Sequence, residues 1–200
     1  FYSLRGHTVI NEVPITELIY IHSKLMIIDD KKVLIGSANI NDRSMLGTRD
    51  SEYAVIVKED FLLNSTMNGK EYKCAKFANG FRKALMAEHL GLKQNDPILD
   101  DPLSPALLSK FKETARTNTL MYREIFGCYP DDTYTSFEKL KAYKKATTPE
   151  EISVLKEKYN ANKDKIVGHI VEFPHDFLKD EKLGINFFSV ENLVPERNFT

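Results

Sequence analysis

Apolar and polar residues follow two different rhythms along this chain. Up to about residue 60 the apolar stretches are short and broken by polar clusters. Leu18-Ile-Tyr-Ile precedes His22, Leu25-Met-Ile-Ile follows it, and Val33-Leu-Ile comes next, with Asp29-Asp30-Lys31-Lys32 between the last two runs. Polar residues gathered only at a turn predict a β-hairpin or a tight strand–turn–strand. A polar loop over residues 42–51 leads to a further strand candidate, Glu52-Tyr-Ala-Val-Ile-Val57. From residue 70 to 160 the spacing turns helical. Cys74, Phe77, Phe81 and Leu85 recur at i+3 and i+4, with Gly91 just past the expected helix end. Asp101-Pro102 opens a second helical region with Leu107, Phe111, Ala115, Met121 and Tyr122 as its buried stripe. Pro149-Glu-Glu starts a third, with proline and acids in the first turn. Residues 166–173 return as a strand. The pattern predicts an α/β chain, with a sheet region over 1–66 and a helical extension over 67–200.

The sheet region also carries the candidate chemistry. His22-Ser-Lys24 lies in an apolar, strand-like run, and strand residues two apart face the same side. An imidazole and an ammonium thus project into one space. That pair suits phosphoryl chemistry, with a nitrogen to attack phosphorus or move a proton beside a fixed positive charge for the phosphate oxygens. Ser37 and Asn39 are again two apart, and their small or amide side chains suit phosphate oxygens. Glu52 opens the next strand. A lone histidine in an apolar run is ordinarily structural. The full string H-x-K-x4-D, then G-S-x-N, then an acid at the next strand is much harder to reach by chance.

Composition narrows the setting. A net charge of -1 argues against bulk nucleic-acid binding. Lys139, Lys141, Lys144 and Lys145 cluster locally and read either as a solvated helix face or as a contact for anionic lipid. Cys74 and Cys128 are too few and too distant for a disulfide framework, which points to a reducing compartment. No run approaches the ~20 apolar residues of a membrane span, and the first residues show no signal-peptide pattern. No group of Cys, His and carboxylates has metal-ligand spacing, so neither metal nor cofactor is expected.

Ile-His22-Ser-Lys24, residues 35–44 (Ile-Gly-Ser-Ala-Asn-Ile-Asn-Asp-Arg-Ser) and Arg49-Asp-Ser-Glu52 closely resemble the second HKD region of eukaryotic phospholipase D, of the class with PX and PH domains upstream. Asn68-Gly-Lys-Glu-Tyr, Asp101-Pro-Leu, Tyr122-Arg-Glu-Ile-Phe126 and residues 168–174 resemble the C-terminal portion of the same enzymes. The resemblance implies a mixed-sheet catalytic half whose active site also needs a second HKD half. The nucleophilic histidine of that half forms a phosphohistidine. His22 is then the general acid and later the general base, Lys24 binds phosphate, and Ser37 and Asn39 support it. Glu52 orients the histidine ring, while Asp29 ties the turn. The implied reaction is hydrolysis of phosphatidylcholine-like phosphodiesters to phosphatidic acid and the head-group alcohol, with transfer to other alcohols open to the same intermediate. Implied partners are the N-terminal HKD half of a longer polypeptide and a phospholipid surface, approached peripherally from the cytoplasm, with small-GTPase regulation as a family trait. Only one H-x-K-x4-D string is present, which is the reason to expect the C-terminal half. The chain ends Pro195-Glu-Arg-Asn-Phe199-Thr200, with Phe199 where the family class carries a tryptophan. Two other readings stand beside this one: a homodimeric HKD nuclease, and a non-catalytic phospholipid-binding fragment.

Overall fold

Asn11 and Glu12 both take positive φ, 48° and 63°, and this two-residue turn folds β1 (Tyr2–Ile10) onto β2 (Val13–Leu18). The computed structural model describes residues 1–182. These divide into two compact units, one of Phe1–Gly127 with Ala146–Phe173 and one of Cys128–Lys145 with the residues from Pro174. The division does not follow the change of rhythm at residue 66. Its cause is β8 (Ile170–Glu172), which returns to pair antiparallel with Tyr2–Leu4 and ties a late segment to the first strand.

The larger unit holds three small sheets. One has the order β2-β1-β8. The second is β3 (Lys24–Ile28), β4 (Lys32–Gly36) and β5 (Ala54–Lys58), in that order. The third is the hairpin of β6 (Leu62–Met67) and β7 (Lys70–Ala75), and every ladder among the described residues is antiparallel. The polar tetrapeptide is the turn the pattern predicts. Asp29 and Asp30 sit at φ 51°, a left-handed conformation that aspartate tolerates.

The β6–β7 hairpin is the main departure from the expected helices. Its turn is Asn68-Gly69, with φ 53° and 72°, a pair that strongly favours two-residue hairpins. Cys74, expected on the helix, therefore belongs to β7 and pairs with Leu63. Helix α2 starts two residues later, at Lys76, and runs to Leu90. Gly91 caps it in the left-handed region at φ 63°. A side chain at Gly91 would also meet Val167 at 2.6 Å and the Gly168 nitrogen at 2.7 Å, so glycine is required here on two counts. Asp101 does not open a helix. Its carboxylate accepts the Asn68 and Gly69 N–H groups at 2.8 and 2.7 Å and clasps the hairpin turn, which joins two of the segments that carry the family resemblance. Helix α3 (Pro105–Phe126) begins instead behind Ser104, whose hydroxyl accepts the Leu107 N–H at 3.2 Å.

Helix α2 serves two cores. Ala78 packs with Val33 and Ala75 under the β3–β4–β5 sheet, with Leu25, Ile27, Val57 and Phe81 around them. Ala87 and Leu90 pack with Leu99, Leu107, Ala115 and Ile170 toward α3 and β8. α5 (Pro149–Asn162) starts on a capping box of Thr148 and Glu151, as its proline and acids foretell. From α3, the fully buried Asn118 donates to the Val167 and Ile170 carbonyls, both at 2.8 Å, and accepts the Val167 N–H at 3.0 Å. Asn118→Ala should therefore lower stability by about 3 kcal/mol, since it strands buried partners that cannot reach water. Urea denaturation followed by circular dichroism would show it, and a loss below about 0.5 kcal/mol would mean that water replaces the amide.

In the smaller unit, Leu178 and Asp180 donate backbone N–H bonds to the Tyr134 and Thr135 carbonyls, each at 2.9 Å. Ser136 caps the short helix α4 (Phe137–Lys141). Of the lysine cluster, Lys139 donates to Thr135 at 2.7 Å, while Lys141, Lys144 and Lys145 are exposed. Cys74 and Cys128 are both buried.

Candidate active site

The register of the β3–β4–β5 sheet gathers the motif residues at one end. Lys24 stands opposite Gly36, and Gly36 opposite Ala54, so Ser37 and Glu52 follow at the same edge. A glycine at 36 is forced by the approach of β5. Any Cβ there would lie 2.6 Å from the Tyr53 carbonyl oxygen and 2.9 Å from the Ala54 side chain. Replacing it would push the strands apart beside Ser37.

The ladder begins at Lys24, so His22 sits just ahead of the strand rather than within it. It is exposed, its ring 6.0 Å from that of Tyr20. Lys24 Nζ donates to the His22 carbonyl at 2.5 Å, which folds the ammonium back over the same tripeptide.

Ser37 is held on three sides. Its N–H donates to the Tyr53 carbonyl at 2.9 Å, its Oγ accepts the Tyr53 N–H at 3.0 Å, and its hydroxyl donates to Glu52 Oε2. The hydrogen bond from the Ser37 hydroxyl is the largest influence on Glu52, ahead of the nearby Ser44 hydroxyl and a smaller attraction from Lys24. Together these hold its carboxyl below the ordinary carboxylate range, against weaker opposition from desolvation and from Asp50. The Ser37 hydroxyl proton thus points at Glu52 rather than at the space beside Lys24. Glu52, in turn, takes the Ser37 hydroxyl bond, with none from the His22 ring among the described residues. A carboxylate has about four acceptor positions, so it retains room for an imidazole N–H.

Asn39 is exposed, and its backbone N–H donates to Ser44 Oγ at 3.0 Å. Ser44 lies in the one-turn helix α1 (Asp42–Met45), where Asn41 Oδ1 accepts the Ser44 N–H at 3.1 Å. Arg43 and Asp50 close the loop with an ion pair at 2.9 Å. Tyr20, Ile21, Ile40, Met45, Leu46 and Tyr53 are exposed apolar or aromatic side chains on the segments that carry the site.

At the far end of the hairpin, the carboxylate that matters structurally belongs to Asp30. Asp29 is exposed, and its carbonyl accepts the Tyr72 hydroxyl at 2.9 Å. Asp30 is 3 % exposed and Arg82 on α2 is 7 % exposed. The guanidinium grips the carboxylate with Nε at 2.8 Å and Nη2 at 2.8 Å, Asn79 adds a bond at 2.8 Å, and Arg82 Nη1 reaches the Leu99 carbonyl at 2.8 Å. The Asp30 carbonyl also accepts the Ala75 N–H at 2.8 Å. Asp30 and Arg82 were not visible as anchor residues in the sequence. Their partners lie on other elements, and only the helical spacing of Asn79 and Arg82 on one face of α2 offered any signal.

Among the described residues no group of three or more His, Cys, Asp or Glu side chains could hold a metal ion, and no helix is long and apolar enough to cross a membrane. Phe199 lies outside the described residues.

Comparison with known proteins identifies the family. The family model for phospholipase D matches residues 14–128, which takes in every motif residue and the anchoring helix α2. The chain belongs to the phospholipase D family. It is 40% identical over 194 residues to phospholipase D2 of Bos taurus, covering 96% of this chain and 20% of that protein. It is 40% identical over 204 residues to phospholipase D1 of Homo sapiens, covering 100% of this chain and 19% of that protein. Phospholipase D zeta 1 of Arabidopsis thaliana is 39% identical, over 92% of this chain and 19% of its own length. The chain thus spans about a fifth of the curated relatives it matches.

Proposed function

We propose that this chain is the C-terminal catalytic half of a phospholipase D that hydrolyses phosphatidylcholine-like phosphodiesters. What supports the reading is the register that puts Lys24, Ser37 and the serine-held carboxylate of Glu52 at one sheet edge, with His22 just ahead of that strand. In this scheme a histidine of the other half attacks phosphorus, and a P–N bond forms as the P–O bond to the head group breaks. Protonated His22 gives its proton to the departing oxygen. Water then loses a proton to neutral His22 and attacks phosphorus, the P–N bond breaks, and phosphatidic acid leaves. An alcohol in place of water gives transfer. Lys24 balances the phosphate charge throughout, with Asn39 and, after rotation of its hydroxyl, Ser37 beside it. Glu52 accepts the His22 ring N–H and fixes the ring's orientation, as carboxylates do for imidazole elsewhere. Asp29 belongs to the turn. The partner half comes from the same longer polypeptide, which works peripherally at a phospholipid surface on the cytoplasmic side and is open to small-GTPase control.

Residues 1–200 alone should then have negligible activity on short-chain phosphatidylcholine. Loss of the proton-transfer role alone typically costs a factor of about 10²–10⁴. Adding the upstream half should restore turnover. Full activity from a monomer in size-exclusion chromatography would refute the proposal, and activity from a homodimer would favour the nuclease-like arrangement.

A further inference from the structure

We propose that Lys141, Lys144 and Lys145, with the rings of Tyr129 and Phe137, form a docking surface for an anionic phospholipid bilayer. The inference deepens the reading above of a polypeptide that works at a phospholipid surface, and it rests on that reading. Its warrant is a segregation of charge inside the smaller unit. The described part of that unit has six carboxylates, and five of them are turned to its own groups. Asp131 accepts the Thr133 N–H and hydroxyl at 2.9 and 2.6 Å, Asp132 the Asp176 N–H at 2.7 Å, and Glu181 the Phe137 N–H at 2.6 Å. Asp180 accepts the Thr135 hydroxyl, and Asp176 pairs with Lys179 at 3.0 Å. Only Glu138 stands against the four lysines of residues 137–145. Lys139 reaches in to the Thr135 hydroxyl at 2.7 Å. Lys141, Lys144 and Lys145 are exposed, and their ammonium groups make no ion pair or hydrogen bond among the described residues.

Aromatic rings accompany these charges. Phe137 is 47% exposed and stands four residues before Lys141 on α4, so the two share a helix face. Tyr143 packs edge-on against Tyr129 and Tyr134, with ring centroids 5.0 and 6.2 Å away. The Tyr129 ring, 51% exposed, is thereby held beside the segment that carries Lys144 and Lys145. Lysines with exposed rings among them match the layered chemistry of a bilayer surface. The ammonium groups meet lipid phosphates and carboxylates, and the rings settle at the boundary with the acyl chains. A nucleic acid would meet the same lysines, but a net charge of -1 leaves it no wider basic surface to follow.

Each lysine near an anionic surface strengthens binding about fivefold, and the three together about a hundredfold. The test uses the full-length polypeptide, sedimented with phosphatidylcholine vesicles made with and without phosphatidylserine. Wild type is compared with the triple variant Lys141→Gln, Lys144→Gln, Lys145→Gln and with the same three positions changed to arginine. Glutamine should weaken binding to the phosphatidylserine vesicles about a hundredfold and leave binding to pure phosphatidylcholine unchanged. Arginine keeps the charge and should bind as wild type does. Turnover of soluble, short-chain phosphatidylcholine should be equal in all three proteins. Should the glutamine variant lose that turnover, Lys144→Gln with Lys145→Gln, outside the helix, takes its place with an expected loss of about 25-fold. A loss below about threefold on phosphatidylserine vesicles would overturn the proposal. So would an equal loss on both kinds of vesicle, a loss that arginine repeats, or lysine-dependent binding of a DNA oligonucleotide with vesicle binding unchanged. A wild-type polypeptide inactive on the soluble substrate would instead sink the phospholipase reading, and vesicle binding would still decide this surface.

Discussion

His22→Ala in the full-length polypeptide is expected to slow release of choline from phosphatidylcholine by a factor of about 10²–10⁴, the usual weight of a positioned proton donor. The loss should depend on the leaving group. An activated nitrophenyl ester departs with little need of a proton, so its initial burst should survive far better. Lys24→Ala should harm both substrates about equally, because phosphate charge must be balanced whatever departs. Single-turnover release from the two substrates separates the roles. Attack by water should also slow without His22, so a phosphohistidine should accumulate on the other half. A phosphoryl group trapped on His22 in the wild-type enzyme would reverse the acid and nucleophile assignments.

Asp30→Asn should cost about 3–5 kcal/mol, the range for breaking one side of a buried ion pair. Asparagine keeps the left-handed turn at φ 51° but removes the charge that faces Arg82. The guanidinium then stays buried with only the Leu99 carbonyl and the Met86 sulfur as other acceptors. Replacing both partners, as Asp30→Asn with Arg82→Met, should recover much of the loss. Asp29→Asn, at the aspartate of the motif itself, should stay within about 0.5 kcal/mol because that side chain is exposed. Thermal unfolding of the four proteins compares them directly. A larger loss at Asp29 than at Asp30 would show that the hairpin is anchored elsewhere.

The same contrast shows what could be read without a structure. The hairpin around Asp29 and Asp30 is legible because its polar residues fall only at the turn. Helix starts at Pro149 and stops at Gly91 are legible because proline and glycine have local backbone reasons to be there. His22, Lys24, Ser37, Asn39 and Glu52 stand out through spacing and family resemblance. The β6–β7 hairpin escaped because the i+3 and i+4 spacing from Cys74 runs straight across its last strand, although Asn68-Gly69 marks the turn. Asp30 and Arg82 lie 52 residues apart, and Arg82 on an amphipathic helix looks like any solvated arginine.

The pairing of β1 with β8 has a further consequence for how the chain is made. Tyr2–Leu4 lie beyond the β1–β2 ladder, which begins at Arg5, and cannot pair with β8 until Glu172 has left the ribosome. At roughly 5–20 residues per second that interval is on the order of ten to thirty seconds. Over that interval Tyr2–Leu4 lack the β8 backbone groups that they pair with in the fold, and an unpaired strand edge is a template for other strands. Premature association during synthesis should therefore involve the Tyr2–Leu4 end of β1 until β8 arrives.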